Sequence, residues 1–313
     1  MRVSEQSLFN TYTKYDKLRQ SDLQRVTEVL GSGKSLLKPS DNSVDTVRVL
    51  RLNSLNTEIE GYNRNADLIR STQEIAEGTM GTIVDVGTET RVEVTRLLNT
   101  GVLDYEDGQI IKQYLQSARD FIVNQSNTDV GGIRLFGGVA SGGNPFAADG
   151  SYNGALNETT VAVSKGVELN TTFDGSAYMG VNANSNKMAV VEALDAMIGI
   201  IDSGDLTQLH SSTIAVNVNG TDHGDVPLLE AFDIGLKSIM EHRSKIGTQM
   251  KVSEDIKAQN ETIALNITDL RAKIEDADYS AAISDLQKAQ TAYEALLAAF
   301  NQNKDLSLLN YFQ

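Results

Sequence analysis

The sequence predicts a mainly α fold with a small β insert. Both chain ends build a long antiparallel helical coiled-coil or bundle rod, and a β-rich domain is inserted mid-chain. Three observations lead there. From Leu52 to Leu97 apolar residues recur at steps of three and four, with only Gln73, Gly87 and Thr90 out of character. A second run of the same kind, Tyr279, Ile283, Leu286, Gln290, Tyr293, Leu297 and Phe300, lies near the end of the chain. Between the helical regions, Asn127 to Asn184 is rich in Gly, Asn, Ser and Thr and carries short β-type runs.

Taken in order, residues 4–30 read as a helix with Leu8, Tyr12, Tyr15, Leu18, Val26 and Leu30 near one face. Gly31 and Gly33 stop it, and Lys38, before Pro39, is pushed out of the helical region. Ser40 or Asp41 is then expected to cap the long second helix. A third helix follows, with Asp104 as its cap and Ile111, Tyr114, Ala118, Phe121 and Ile122 on its apolar face. Strands are expected at Ile133–Phe136, Thr159–Val163 and Val167–Thr172, with glycine pairs between them as turns. Residues 187–202 return to helix, presenting Met188, Val191, Leu194, Ile198 and Ile201, and Thr213–Asp225 reads as a hairpin. A long helix then runs from about Pro227 to Asp276, ahead of the last one.

The order of element types is a palindrome, so the first helix is expected to pair with the last and the second with the second-to-last. A lone amphipathic helix must lay its stripe against a partner. For the last helix that partner is expected to be Leu8, Tyr15, Leu18 and Val26. One partner does not cover everything: Leu8, Leu23, Val29, Leu296, Leu306 and Leu309 fall off the main seams. The alternative is an ordinary intramolecular core, since apolar heptads usually mean core. The surplus favours contacts between copies of the chain. The expected assembly interface is Leu8, Tyr12, Tyr15, Leu18, Val26, Leu30, Ile283, Leu286, Tyr293, Leu297, Phe300, Leu306 and Leu309. Gly31, Gly33, Pro39, Ser40 and Asp41 on one side, and Asp276 and Asp278 on the other, are the expected linkers.

Composition narrows the function. The 313 residues carry 27 basic and 42 acidic side chains, a formal net charge of −15, which argues against nucleic acid and against an anionic membrane surface. Three prolines leave room for long unbroken helices, and the absence of Trp beside ten Tyr and eight Phe suits thin helical layers. No Cys is present, which excludes disulfides, thiolate metal sites and a Cys nucleophile. No apolar run is long enough for a transmembrane helix. The amino terminus shows no apolar signal-peptide core and no cleavage site, which alone would suggest a cytoplasmic protein.

The sequence carries no motif of catalytic or metal-binding chemistry. His210, His223 and His242 have no metal-ligand spacing. The segments Asn219–Asp225 and Asp202–Asp205 have acidic residues but not the calcium-loop pattern, and read as turns. No phosphate loop, nucleophile elbow or zinc motif occurs. Catalytic, cofactor and metal residues are therefore expected to be none. A calcium- or sugar-binding module in the β insert is the alternative of a different class.

Several motifs together carry a resemblance. Leu30–Asp41, LGSGKSLLKPSD, resembles a signature of the flagellin-like superfamily, departing at Asn42 and Ser43, where an Asp and a Pro usually follow. Ile274–Tyr279 (IEDADY) and Leu306–Tyr311 (LSLLNY) are similar to segments around the terminal helix of the same proteins. Met1–Ser4, Gly132–Gly138 (GIRLFGG) and Glu241–Gln249 (EHRSKIGTQ) resemble the hook-associated proteins of type 3, the hook–filament junction family. The resemblance spans about residues 1–140 and 186–313; residues 145–182 match nothing specific.

The resemblance implies a structural, non-enzymatic role in the bacterial flagellum. It implies a terminal helical domain of residues 1–40 plus 276–313 forming an inner tube. A helical domain with β-hairpins, 41–142 plus 183–275, forms the next layer, and a small outer β-rich domain spans 143–182. Implied partners are the chain itself in a ring or tube, flagellin, another hook-associated protein on the hook side, and a flagellar export chaperone. Export by the flagellar type III pathway, without a cleaved signal, would place the protein outside the cell. A filament-forming flagellin is the alternative.

Overall fold

The computed structural model describes residues 2–99, 105–140 and 142–309. In chain order the elements are α1 (Arg2–Ser32), α2 (Ser43–Asn99), α3 (Tyr105–Ser126), β1 (Asp129–Val130), β2 (Ile133–Arg134), β3 (Thr160–Ser164) and β4 (Val167–Asn170). They continue with α4 (Gly175–Tyr178), β5 (Val181–Asn182), β6 (Lys187–Met188), α5 (Ala189–Ser203), α6 (Gln208–Ser211), β7 (Thr213–Val218), β8 (Thr221–Pro227), α7 (Leu228–Glu275) and α8 (Tyr279–Leu309). The fold is mainly helical, with short antiparallel strands confined to the middle of the chain. Asp104, expected as the cap of α3, lies outside the described residues.

Contacts divide the chain into two units: Ile59–Glu261, and Met1–Glu58 with Thr262–Gln313. In the first, α2 and α7 run antiparallel. Their register is fixed by cross-helix pairs of opposite charge: Arg91 forks onto Asp233 at 2.6 and 2.9 Å, and Glu77 accepts from Arg243 Nε at 2.6 Å. Asp67 then meets Lys257 at 2.5 Å. Only this register satisfies all three, which is how exposed charges specify alignment while adding little stability.

The expected seam of α2 is buried from Ile59 onward, through Ala66, Ile69, Ala76, Met80, Ile83, Val94 and Leu97. Each residue that breaks the apolar pattern has a physical reason to sit there. Gln73 donates to Gln249 at 3.5 Å, and Thr90 Oγ1 donates to its own helix at Val86 O, 2.7 Å. At Gly87 a Cβ would lie 2.6 Å from Leu236 Cδ1, so the small residue admits the leucine.

The main core joins this helix pair to α3, α5 and the sheet β6-β5-β7-β8. α5 is apolar on more than the expected stripe, since Val190, Ala193 and Met197 are buried along with Val191, Leu194 and Ile201. It ends on Gly204, whose φ of 77° suits a left-handed helix stop. The hairpin β7–β8 turns at Asn219 and Gly220, with φ of 53° and 75°. In the two acidic segments the carboxylates serve local bonds: Asp222, in β8 just past the Asn219–Gly220 turn, accepts from the Gly224 N–H at 2.9 Å, and Asp205, after α5, accepts from Thr207 Oγ1 at 2.5 Å.

The motif at Gly132–Gly138 forms β2 only as far as Arg134. Leu135 and Phe136 then turn into the core, both essentially fully buried. The backbone stays paired: Phe173 N donates to Leu135 O at 2.7 Å and Gly138 N to Phe173 O at 3.0 Å.

Candidate assembly surface

In the second unit α1 and α8 lie antiparallel. Tyr12 stacks on Phe300 with ring centroids 3.9 Å apart, and Gln20 Nε2 reaches Tyr293 Oη at 3.5 Å. Lys34 and Asp276 form an antiparallel bridge at the far end. These contacts set a single register. On α1 the covered positions are Tyr12, Asp16, Arg19, Leu23, Val26 and Leu30; on α8 they are Ala282, Leu286, Ala289, Tyr293, Leu296 and Phe300. Both sets step alternately by four and three residues, as a two-helix seam requires.

This seam corrects the sequence reading in two places. Leu286, Tyr293 and Phe300 are on it as expected, but Ala282, Ala289 and Leu296 stand where Ile283, Gln290 and Leu297 were expected. On α1, Asp16, Arg19 and Leu23 face the partner rather than Tyr15 and Leu18. The reason is size. In this register Ala282 and Ala289 come opposite Leu30 and Leu23, so small meets large and the helices approach closely.

Turning the alanines inward turns bulky groups outward. Tyr15 is 46% exposed, Leu18 51%, Tyr279 54%, Ile283 49% and Leu297 37%. Among the described residues the pair thus leaves bulky apolar side chains exposed on both flanks of the seam. A shallow groove between the two helices is lined by Val26, Val29, Ala281, Ala282, Ala289 and Ala292, with Arg19, Arg25, Asp285 and Lys288 beside them. The side chains of Leu8, Leu306 and Leu309 lie outside the described residues.

The two linkers are hydrogen-bonded to one another. Ser35 N donates to Glu275 O at 2.8 Å, Ala277 N donates to Gly33 O at 2.9 Å, and Lys34 pairs with Glu275 at 2.5 Å. Asp278 caps α8 by accepting from Ser280 N and Ala281 N at 2.9 and 3.1 Å. The cap of α2 is neither Ser40 nor Asp41. Asp41 closes the preceding turn, accepting from Lys38 N and Leu37 N at 2.9 and 3.2 Å. The Lys38 N–H chiefly, with Arg25 adding, holds its carboxyl below the usual range. Asn42 takes the cap instead, accepting from Val44 N and Asp45 N at 3.1 and 3.2 Å. Gly31, Pro39 and Ser40 are exposed along this crossing.

The histidines sit apart. His210 ends α6, His223 is exposed on the edge strand β8, and His242 packs its ring 4.7 Å from Tyr178 while its Nδ1 meets Ser238 O at 2.9 Å. Among the described residues no group of three or more His, Cys, Asp or Glu is placed to hold a metal, and no helix is long and apolar enough to cross a membrane.

No protein-family model matches the chain. Flagellar hook-associated protein 3 of Escherichia coli (strain K12) aligns with it at 21% identity over 320 residues, covering 98% of both chains. Among solved structures, Bacillus cereus FlgL superposes with a TM-score of 0.55 at 18% identity, covering 72% of this chain and 100% of its own. A Vibrio parahaemolyticus protein, named for an expected flagellar hook-associated role, reaches 0.62 at 18% identity, covering 75% and 100%. The fold is that of the flagellar hook-associated proteins.

What sequence reasoning missed in this site is Leu23, Ala282, Ala289 and Leu296 on the seam and Asn42 at the cap. The signal for the seam was present: Ala282 and Ala289 are seven residues apart, and Leu296 continues the series.

Proposed function

We propose that this chain is a structural axial component of the bacterial flagellum, joining the hook side to the flagellin filament. The reading rests on an alignment that covers nearly the whole of a hook-associated protein 3. The structural observation that carries it is the exposure of Tyr15, Leu18, Ile283 and Leu297 on the flanks of the terminal helix pair. Large apolar patches on a helix pair are costly in water unless a partner covers them. Further copies of the same pair, arranged in a ring or tube, are that partner. The seam residues Tyr12, Val26, Leu30, Leu286, Tyr293 and Phe300 hold the pair together, and the outward residues join subunits. Flagellin and another hook-associated protein lie at the two ends, and an export chaperone covers the terminal region before secretion. The chain does this by binding, with no catalytic step.

Truncation separates assembly from folding. With residues 304–313 removed, the unit Ile59–Glu261 should keep its unfolding midpoint, because it has its own core. Incorporation into flagella should fall below detection by immuno-electron microscopy. Normal incorporation of the truncated chain would contradict the terminal-helix mechanism, and growth of the purified intact chain into long filaments would replace the junction role with that of a flagellin.

A further inference from the structure

The main core of the larger unit does not extend to the β3–β4 hairpin. Val163 and Leu169 of the hairpin form a separate small cluster with Ala66 and Ile69 of α2, against which Val161 and Ile256 pack. The α7 side of the seam beneath offers little apolar surface, since its buried positions there are Ser253 and Asn260. On α2, Gln73 is fully buried with its Oε1 unpaired. Flanking ion pairs, Lys257–Asp67 at 2.5 Å and Arg70–Glu254 at 3.8 Å, involve largely exposed side chains, and such pairs contribute little. Over this stretch α2 and α7 have weak means of holding each other.

The hairpin supplies the missing hold. The pairing of β3 with β4 skips a residue between Ala162 and Ser164, so Val163 is a bulge in the hairpin. Asn260 of α7, 2% exposed, donates its amide to Val163 O at 3.0 Å. Asn65 of α2 donates to the neighbouring Ala162 O at 2.8 Å. One amide from each helix therefore grips adjacent carbonyls of one strand, while Val163 and Leu169 fill the apolar gap below.

We propose that the hairpin is a strap across the helix pair. Closed, it ties α2 to α7 around residues 63–73 and 249–260. Released, it lets this stretch open while the main core stays intact. Two neutral hydrogen bonds and a small satellite cluster make a closure that is modest and reversible, the kind from which local opening units are drawn.

Hydrogen–deuterium exchange on the full chain tests this with Asn65→Ala, Asn260→Ala and the double variant. In the double variant, amides of 62–72 and 251–261 should exchange about 10–100-fold faster, while those around Ile83 and Ile239 keep their rates. Unchanged rates at 62–72 and 251–261 would overturn the proposal, as would equal acceleration throughout the core. If the double variant does not fold, Asn65→Ala alone must show the same localised acceleration to a smaller degree, and its absence overturns the strap equally.

Discussion

Alanine at Gly138 is expected to destabilise the larger unit more than any other single methyl group added to it. The φ of Gly138 is +61°, which a residue with a Cβ adopts only under strain. A Cβ there would also lie 2.1 Å from Ala155 O and 2.5 Å from Asn157 O. Both are backbone atoms and cannot rotate aside. They are tied in place, since Ala155 N donates to Gly137 O at 3.0 Å and Val139 N to Asn157 O at 2.8 Å. Relief would pull this segment away and disturb Leu135, Phe136 and Phe173 behind it. The expected loss is about 3–5 kcal/mol by urea denaturation, the range reached by strain plus overpacking. Gly142→Ala, where nothing lies within 4 Å, is the control and should stay within about 0.5 kcal/mol.

Asn182→Asp should cost a similar amount by a different route and should depend on pH. Asn182 is fully buried and joins three elements. Its amide Nδ2 donates to Glu192 Oε2 at 2.8 Å and Ala215 O at 2.9 Å, while its Oδ1 accepts from Asn217 N at 2.9 Å and Asn184 N at 3.2 Å. A carboxylate keeps the accepting side and loses both donors, placing its charge beside Glu192. Breaking a buried polar network in this way costs about 3–5 kcal/mol near neutral pH. Burial and the neighbouring carboxylate raise the new group's folded pKa, so folding binds a proton. The variant's deficit should therefore shrink as the pH is lowered towards the ordinary carboxyl value and grow as it is raised. Asn182→Ala, which adds no titrating group, should be destabilised with no such slope.

Neither residue could be found from the chain read as a string. Gly138 sits in a recognisable motif, yet the atoms that forbid a Cβ come from residues 155–157, in the stretch that resembles nothing specific. Asn182 is one asparagine in a region full of them, and its partners stand up to 35 residues away. The helices were legible because periodicity is local. The seam of α2 holds its register even at Gln73, Gly87 and Thr90, where side-chain chemistry alone would have ended it. The seam of α8 was misplaced by one residue for the opposite reason. Pattern reading favours bulk, whereas two helices that approach closely favour alanine, and Ile283 and Leu297 are left outside. That error bears on the proposed function, because the residues turned outward are the ones the proposal gives to a neighbouring subunit. The cap at Asn42 shows the same limit: Asp41 has the right chemistry, but its carboxylate is already committed to Lys38 and Leu37.

The central claim is that this chain joins the hook side of a flagellum to its filament. Electron microscopy of cells with this gene deleted, together with detection of flagellin in the medium, tests it most directly. The expected result is cells with hooks but no filaments, shedding unassembled flagellin, with filaments restored by the intact chain but not by the chain lacking 304–313. Filaments of normal length still attached to hooks in the deletion strain would contradict it.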